Sequence, residues 1–345
     1  MRITLCMVML GTLILVLGCR FGPLSSGPAP AEQPGATAER AVTQAPAAAQ
    51  AEPPQADEAL TGQITYSLDG NIHFMDLVER EPRQLTMGGV PETEAGLRFG
   101  CPSFVDQETL LFLRWESDDQ WHVTSRTIAS GSIESEWDAI TEVPYPTALG
   151  WSTFFEEVFA LWQIEEGMEP GDDFGALLQL CAYDGDVVTD LEGIRSWFGG
   201  VSINQARIRV SPDGAMVSIP NFPTDVSDFY VLHDLETAGQ VELLPQEVLG
   251  SLYITALDFG DGTVYGAIND ITEEQAWGNG LYRLDLETFE HEKILALDGS
   301  HGIAVSETLQ LAVMSTAEDD LILVDLATGN SQRIGRGTDP DIWPR

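Results

Sequence analysis

The sequence predicts an all-β protein, a six-bladed β-propeller, on three observations. Apolar anchors at Phe104, Trp151, Val210, Leu257 and Val305 recur at intervals of 47, 59, 47 and 48 residues. Each interval holds short runs of alternating apolar residues separated by turn formers, four strands to a unit. A partial copy opens the body at residues 64–86, and a last pair, Ile342-Trp343, repeats the innermost-strand pattern at the other end. Self-similarity of this period, with four strands per unit, is the signature of propeller blades.

The chain begins differently. Met1-Arg2 supplies a positive start, and Ile3 to Leu17 is an almost unbroken apolar run. That run has signal-peptide length and falls short of the roughly 20 residues a spanning helix needs. It ends in Val16-Leu17-Gly18-Cys19, which resembles a bacterial lipobox. Small Gly18 lets a peptidase approach, and the Cys19 thiol accepts the diacylglyceryl group. On this resemblance residues 1–18 are a lipoprotein signal peptide and Cys19 is the lipidated N-terminus. The protein is then extracytoplasmic, anchored to the cell membrane or the outer membrane. Arg20 stands where inner-membrane retention would call for aspartate. An ordinary secretory signal followed by a chance cysteine is the alternative reading of the same residues.

Residues 19–62 form a Pro/Ala-rich linker in which Pro23, Pro28, Pro30, Pro34, Pro46, Pro53 and Pro54 break every apolar period. A flexible tether of this length averages roughly 35 Å end to end, and proline extends it. Export makes a Cys101–Cys181 disulfide permissible, but two cysteines on neighbouring repeats are not thereby adjacent. Buried thiols are the other reading.

The propeller is expected over residues 63–345. Its clearest rows are 72–86, 229–244, 281–295 and 321–334, each a strand, an Asp-Leu or similar turn and a second strand. Asp76, Asp234, Asp285 and Asp325 are placed to accept backbone N–H bonds two or three residues on, a structural role. Five complete units start near residues 101, 147, 200, 253 and 300. Three N-terminal strands and one C-terminal strand then complete a sixth blade, which leaves no long unpaired edge.

Ser211-Pro212-Asp213-Gly214 followed by an apolar strand, together with the Asp-Leu-x-Thr turns, resembles the WD40-like (PD40) repeats of TolB-type propellers. The same repeat occurs in propellers of prolyl-oligopeptidase-like enzymes. The resemblance covers residues 63–345 and implies the fold without implying a function. TolB-type proteins carry an α/β domain before the propeller and are soluble, whereas residues 20–62 have no pattern for such a domain and residues 16–19 of this chain resemble a lipobox.

Charge narrows the partners. There are 55 acidic and 16 basic residues, a formal net charge of −39, and Lys293 is the single lysine. Such a chain repels nucleic acid and offers no basic face to anionic lipid. The acidity reads either as solubility or as attraction to a cationic partner or Ca²⁺. No cofactor is otherwise called for, and the propeller is expected to be monomeric. Acid concentrates between Glu116 and Glu192, with Glu165, Glu166, Glu169, Asp172 and Asp173 in one loop. That loop lacks the spacing of a calcium loop, so a solvated charge run is the plainer account.

Short turns and long loops should fall on opposite faces of the ring, and function gathers in long loops on a rigid scaffold. The long ones are 87–100, 165–175, 221–228 and 269–280; Asp270 and Trp277 belong to the last. Trp197 is expected before a blade junction as a ligand platform or a plug, as is Trp277 in its loop. Trp115 and Trp162, at strand ends, read as core or rim packing. Among the histidines only His301, at a blade junction, is placed to reach a central funnel; the others read mostly as surface or rim.

Catalytic signatures are thin. The chain lacks a Gly-x-Ser-x-Gly elbow, a His-Glu-x-x-His helix, a Cys-x-x-Cys pair and a phosphate-binding glycine loop. The expectation is a binding or scaffolding module of the bacterial envelope that engages a protein or a glycan. The alternative is a propeller hydrolase or lyase using carboxylates, and a metal, in the central channel.

Overall fold

The computed structural model describes residues 62–344 except 92–95, 118–119, 129–132, 138–147, 164–175, 185–186, 199–206, 222–228, 245–251 and 271–276. Its strands arrange as six four-stranded antiparallel sheets. The first three strands are β1 (Gln63–Leu68), β2 (Asn71–Asp76) and β3 (Pro82–Gln84). Blade 1 holds β4 (Arg98–Phe104), β5 (Thr109–Ser117), β6 (Gln120–Thr127) and β7 (Ile133–Trp137). Blade 2 holds β8 (Ala148–Ser152), β9 (Glu157–Gln163), β10 (Ala176–Asp184) and β11 (Val187–Phe198). Blade 3 holds β12 (Arg209–Val210), β13 (Met216–Asn221), β14 (Phe229–Asp234) and β15 (Gln240–Val241). Blade 4 holds β16 (Leu252–Phe259), β17 (Val264–Asp270), β18 (Gly280–Leu284) and β19 (His291–Ala296). Blade 5 holds β20 (Ser300–Ser306), β21 (Leu311–Thr316), β22 (Asp320–Asp325) and β23 (Ser331–Arg336).

The last strand, β24 (Thr338–Trp343), pairs with β1 and completes blade 6 in the order β24-β1-β2-β3. Its register sets Gln63 opposite Trp343, Ile64 opposite Ile342 and Thr65 opposite Asp341. The ring therefore closes by strand exchange between the two ends of the body, as the Ile342-Trp343 pattern predicts.

Sheet stacking explains the repeat. Each blade presents apolar residues on both faces, and six buried clusters lie one at each blade–blade contact. Phe104 packs between blades 6 and 1, Val210 between 2 and 3, Leu257 between 3 and 4, and Val305 between 4 and 5. The recurring anchors are thus one spoke of the ring repeated. Central strands such as β17 (VYGAIND) and β21 (LAVMST) are buried on both faces, so their apolar runs are nearly continuous rather than alternating.

The turn aspartates do what their position predicts. Asp76 Oδ1 accepts from Val78 N at 2.7 Å, Asp234 Oδ1 from Thr237 N at 2.7 Å, Asp285 Oδ1 from Thr288 N at 2.8 Å and Asp325 Oδ1 from Thr328 N at 2.8 Å. The bond from Thr288 N holds the Asp285 carboxyl below the usual aspartate range, and the bond from Thr237 N does the same for Asp234. A depressed pKa contributes stability that is lost only as pH falls through the folded value, so these turns stay closed until the medium is more acidic than an ordinary aspartate would require.

Cys101 and Cys181 are both buried thiols, in the cluster between blades 1 and 2. The permitted bridge is not formed: Cys181 Sγ contacts Ala160 O at 3.3 Å instead. His233, expected near the surface, is 7% exposed, and its Nδ1 lies 3.2 Å from Ala238 O.

At Gly70 the backbone itself demands glycine. Its φ is +72°, and a Cβ there would lie 2.0 Å from Val90 O. Gly70→Ala is expected to cost about 1–3 kcal/mol by chemical denaturation, because strain and overlap act together.

Candidate functional site: an ion-paired axis beneath a long-loop rim

Every innermost strand runs from the long-loop face toward the short-turn face, with alternate side chains directed at the axis. In blades 3, 4 and 6 those inward residues are charged. Arg207 and Arg209 come from the entry to β12 and its first residue, Asp258 from β16, and Asp339 and Asp341 from β24. All are buried, Asp341 completely.

Arg207, Arg209, Asp258 and Asp341 engage one another and strand backbones. Arg209 Nη1 donates to Asp341 Oδ1 at 2.9 Å and Nη2 donates to Pro340 O at 3.2 Å. Its Nε lies 3.7 Å from Asp258 Oδ1. Arg207 Nη2 donates to Asp339 O, and its Nη1 lies 3.7 Å from Asp341 Oδ1. Asp341 Oδ2 accepts from Phe104 N at 2.7 Å and Asp258 Oδ2 accepts from Val305 N at 2.8 Å. Each of these two carboxylates so clasps the innermost strand of the next blade, at the residue that anchors that blade's core.

Electrostatics follow from burial and neighbours. Burial draws the Arg209 guanidinium down, but Asp258 and Asp341 outweigh it and hold the pKa above its usual value. Burial lowers the pKa of Arg207, and the nearby charge of Arg209 lowers it further. Burial pushes the Cys101 thiol up, with Asp339 adding to the rise, so this cysteine is a neutral wall of the axis rather than a nucleophile. Cys101 and Asp339 hold φ values of +51° and +49°, on neighbouring innermost strands. At this level the charged side chains of the described innermost strands meet one another.

The expected site residues separate. Asp270 is the last residue of β17, 4% exposed, and its Oδ2 accepts from Trp277 N at 2.9 Å and Gly278 N at 2.8 Å. It caps the returning end of its loop. Trp277 is half-buried, stacks on His291 with ring centroids 3.5 Å apart and packs on the cluster between blades 3 and 4. It plugs that contact. Trp197 lies within β11, opposite Leu177, and not in a loop. The strand runs on to Phe198 and carries the tryptophan with it.

His301 is the extra residue of a bulge between Ser300 and Gly302, half-buried, at the start of β20. Cys19 and the acidic residues Glu165, Glu166, Glu169, Asp172 and Asp173 lie outside the described residues. Among the described residues no three His, Cys, Asp or Glu side chains gather in a way that could hold a metal ion. The axial cluster itself escapes a reading that follows apolar anchors. Arg209, Asp258 and Asp341 sit one position from Val210, Leu257 and Ile342, where alternation ordinarily means solvent.

The rim above is uneven. The connections between second and third strands are long in blades 2, 3 and 4, spanning 164–175, 222–228 and 271–279. In blades 6, 1 and 5 they shrink to 69–70, 118–119 and 317–319. A pocket of about 180 Å³ opens on this low side, where blade 6 meets blades 5 and 1. A shallower groove of about 550 Å³ lies at the short-turn face of blade 4, among Gly262, Arg283, Asp285 and Glu290; its Asp285 is the turn-closing residue described above.

No family model matches the sequence, and no curated protein matches it. Solved structures do. TolB from Acinetobacter baumannii superposes with a TM-score of 0.57 at 12% identity, over 83% of this chain and 68% of that one. The putative TolB from Agrobacterium tumefaciens gives 0.52 at 14% identity, over 81% of this chain and 90% of that one. At such identities the likeness is one of fold: this chain is a six-bladed β-propeller of the TolB-like type.

Proposed function

We propose that the protein is a lipid-anchored, extracytoplasmic binding or scaffolding module of the bacterial envelope, holding a protein or a glycan at its long-loop face. The observation that carries this reading is the state of the axis. Arg209, Asp258 and Asp341 are buried and engaged with each other and with strand N–H groups, which makes them a clasp for the ring and leaves recognition to the rim. The lipobox-like Val16-Leu17-Gly18-Cys19 and the tether after it support a propeller held clear of a membrane surface.

Two measurements test it. Intact mass of the membrane-extracted chain is expected to begin at an acylated Cys19, and Cys19→Ser should lose the acyl mass; an unmodified Cys19 in the wild type sinks the anchor. Capture from solubilised envelope should return one stoichiometric partner, lost when the 165–175 or 269–280 loop is replaced by glycine and serine. Turnover of a peptide or glycan substrate by the purified chain would overturn the binding reading.

A further inference from the structure

The pocket on the low side of the rim is built from chain segments far apart in sequence. Ser67 and Asp69 come from the end of β1 and its turn, Arg98 and Trp115 from β4 and β5, Asp319 from the turn before β22, and Thr338 from β24. At about 180 Å³ it falls below the roughly 300–1,000 Å³ of pockets for drug-sized ligands and has room for one small ring.

Its lining is unfinished in a specific way. Ser67 is 7% exposed, and its Oγ has no hydrogen-bond partner. A buried hydroxyl without a partner carries a desolvation penalty that a bound polar group would remove. Among the described residues, neither the half-buried Arg98 guanidinium nor the Asp69 carboxylate has a hydrogen-bond or ion-pair partner. Asp319, by contrast, is paired with Arg336 at 3.4 Å. The unengaged lining charge is therefore one cation and one anion. An anionic ligand meets Asp69, a cationic ligand meets Arg98, and a neutral ligand bearing both donors and acceptors suits the pair and the orphan hydroxyl together. Trp115, half-buried on the wall, adds an aromatic surface for an apolar face. A pyranose has these properties: hydroxyls that donate and accept around its edge, and C–H groups on its faces.

We propose that this pocket binds one neutral sugar ring, the terminal residue of an envelope glycan. The proposal rests on the binding-module reading and names the ligand class for it. Hydroxyls of the ring accept from Arg98 and donate to Asp69, Ser67 Oγ completes its bonding at the floor, and Trp115 packs along the ring's C–H face.

The test uses the full chain in detergent with methyl glycosides of glucose, galactose, mannose and N-acetylglucosamine as probes, read by saturation-transfer NMR and by tryptophan fluorescence. At least one glycoside is expected to bind. Asp69→Asn and Arg98→Met should each weaken it tenfold or more without shifting the thermal midpoint, since neither side chain makes a hydrogen bond or ion pair that the fold would lose. Ser67→Ala should weaken it less. If no glycoside binds while envelope capture still returns a protein partner, the sugar pocket is wrong and the module reading stands. If a glycoside binds with equal affinity to both variants, the module holds sugar elsewhere and the pocket is again wrong. Preferential binding of acetate or methylammonium, the singly charged controls, or of zwitterionic glycine overturns the sugar inference. Absence of both sugar binding and any captured partner overturns the two readings together.

Discussion

Arg209→Ala is expected to lower the stability of the whole propeller by about 3–5 kcal/mol, the cost of removing one partner from a buried ionic cluster. The side chain is 1% exposed and serves three blades at once. It donates to Asp341 Oδ1 and Pro340 O in blade 6 and to Ile303 O in blade 5, the last at 3.4 Å, while its Nε faces Asp258 in blade 4. Without it, Asp258 loses its countercharge and Asp341 keeps only Arg207 at 3.7 Å, in a medium that cannot solvate them. Domains are stable by only about 5–15 kcal/mol, so the loss is a large share of the total. Arg209→Lys should recover less than half, because a point charge on a flexible stem cannot reach all of these acceptors as a planar fork does. Urea denaturation gives the measurement. The exposed pair Arg283–Glu292, at 2.8 Å, supplies the control: Arg283→Ala should change stability by no more than about 1 kcal/mol. An Arg209→Ala protein as stable as that control would show that the cluster is tolerated by the ring and does not hold it.

The same cluster marks the limit of what the residues declare in advance. Blade number, strand rows and closure were legible because they rest on apolar periodicity, and stacked blades enforce that periodicity at every contact. Charged residues in an alternating strand ordinarily mean water. On an innermost strand the alternate side meets the axis, so Arg209, Asp258 and Asp341 look solvated in sequence and are buried in the fold. Trp277 and Asp270 show a related limit. Trp277 stacks on His291, and Asp270 accepts from the Trp277 backbone N–H. Both contacts are tertiary and are not encoded in the composition of the 269–280 stretch. Ser67, Arg98 and Asp319 lie more than two hundred residues apart at their extremes, and only ring closure brings them to one pocket.

Removal of residues 336–345 is expected to unfold the entire propeller rather than fray one edge. The deletion takes all of β24, and with it the backbone partner of β1. It also takes Ile342, fully buried in the cluster between blades 5 and 6, and the Asp341 carboxylate that caps Phe104 N in blade 1. Arg209 and Arg207 lose the Pro340 and Asp339 carbonyls together with Asp341, so two guanidiniums are left buried near one carboxylate, Asp258. Blade 6 would then present β1 as an exposed edge toward the axis, a template for association with other chains. Cooperative loss of structure should appear as the absence of a folded baseline in near-ultraviolet circular dichroism and as rapid proteolysis throughout the body. A synthetic peptide of residues 336–345, added in excess, should restore part of the signal, because the strand is non-covalently held to the sheet it completes. If the truncated chain melts with the intact protein's midpoint and resists protease equally, closure by strand exchange does not stabilise this ring, and the axial clasp must act within blades 1 to 5 alone.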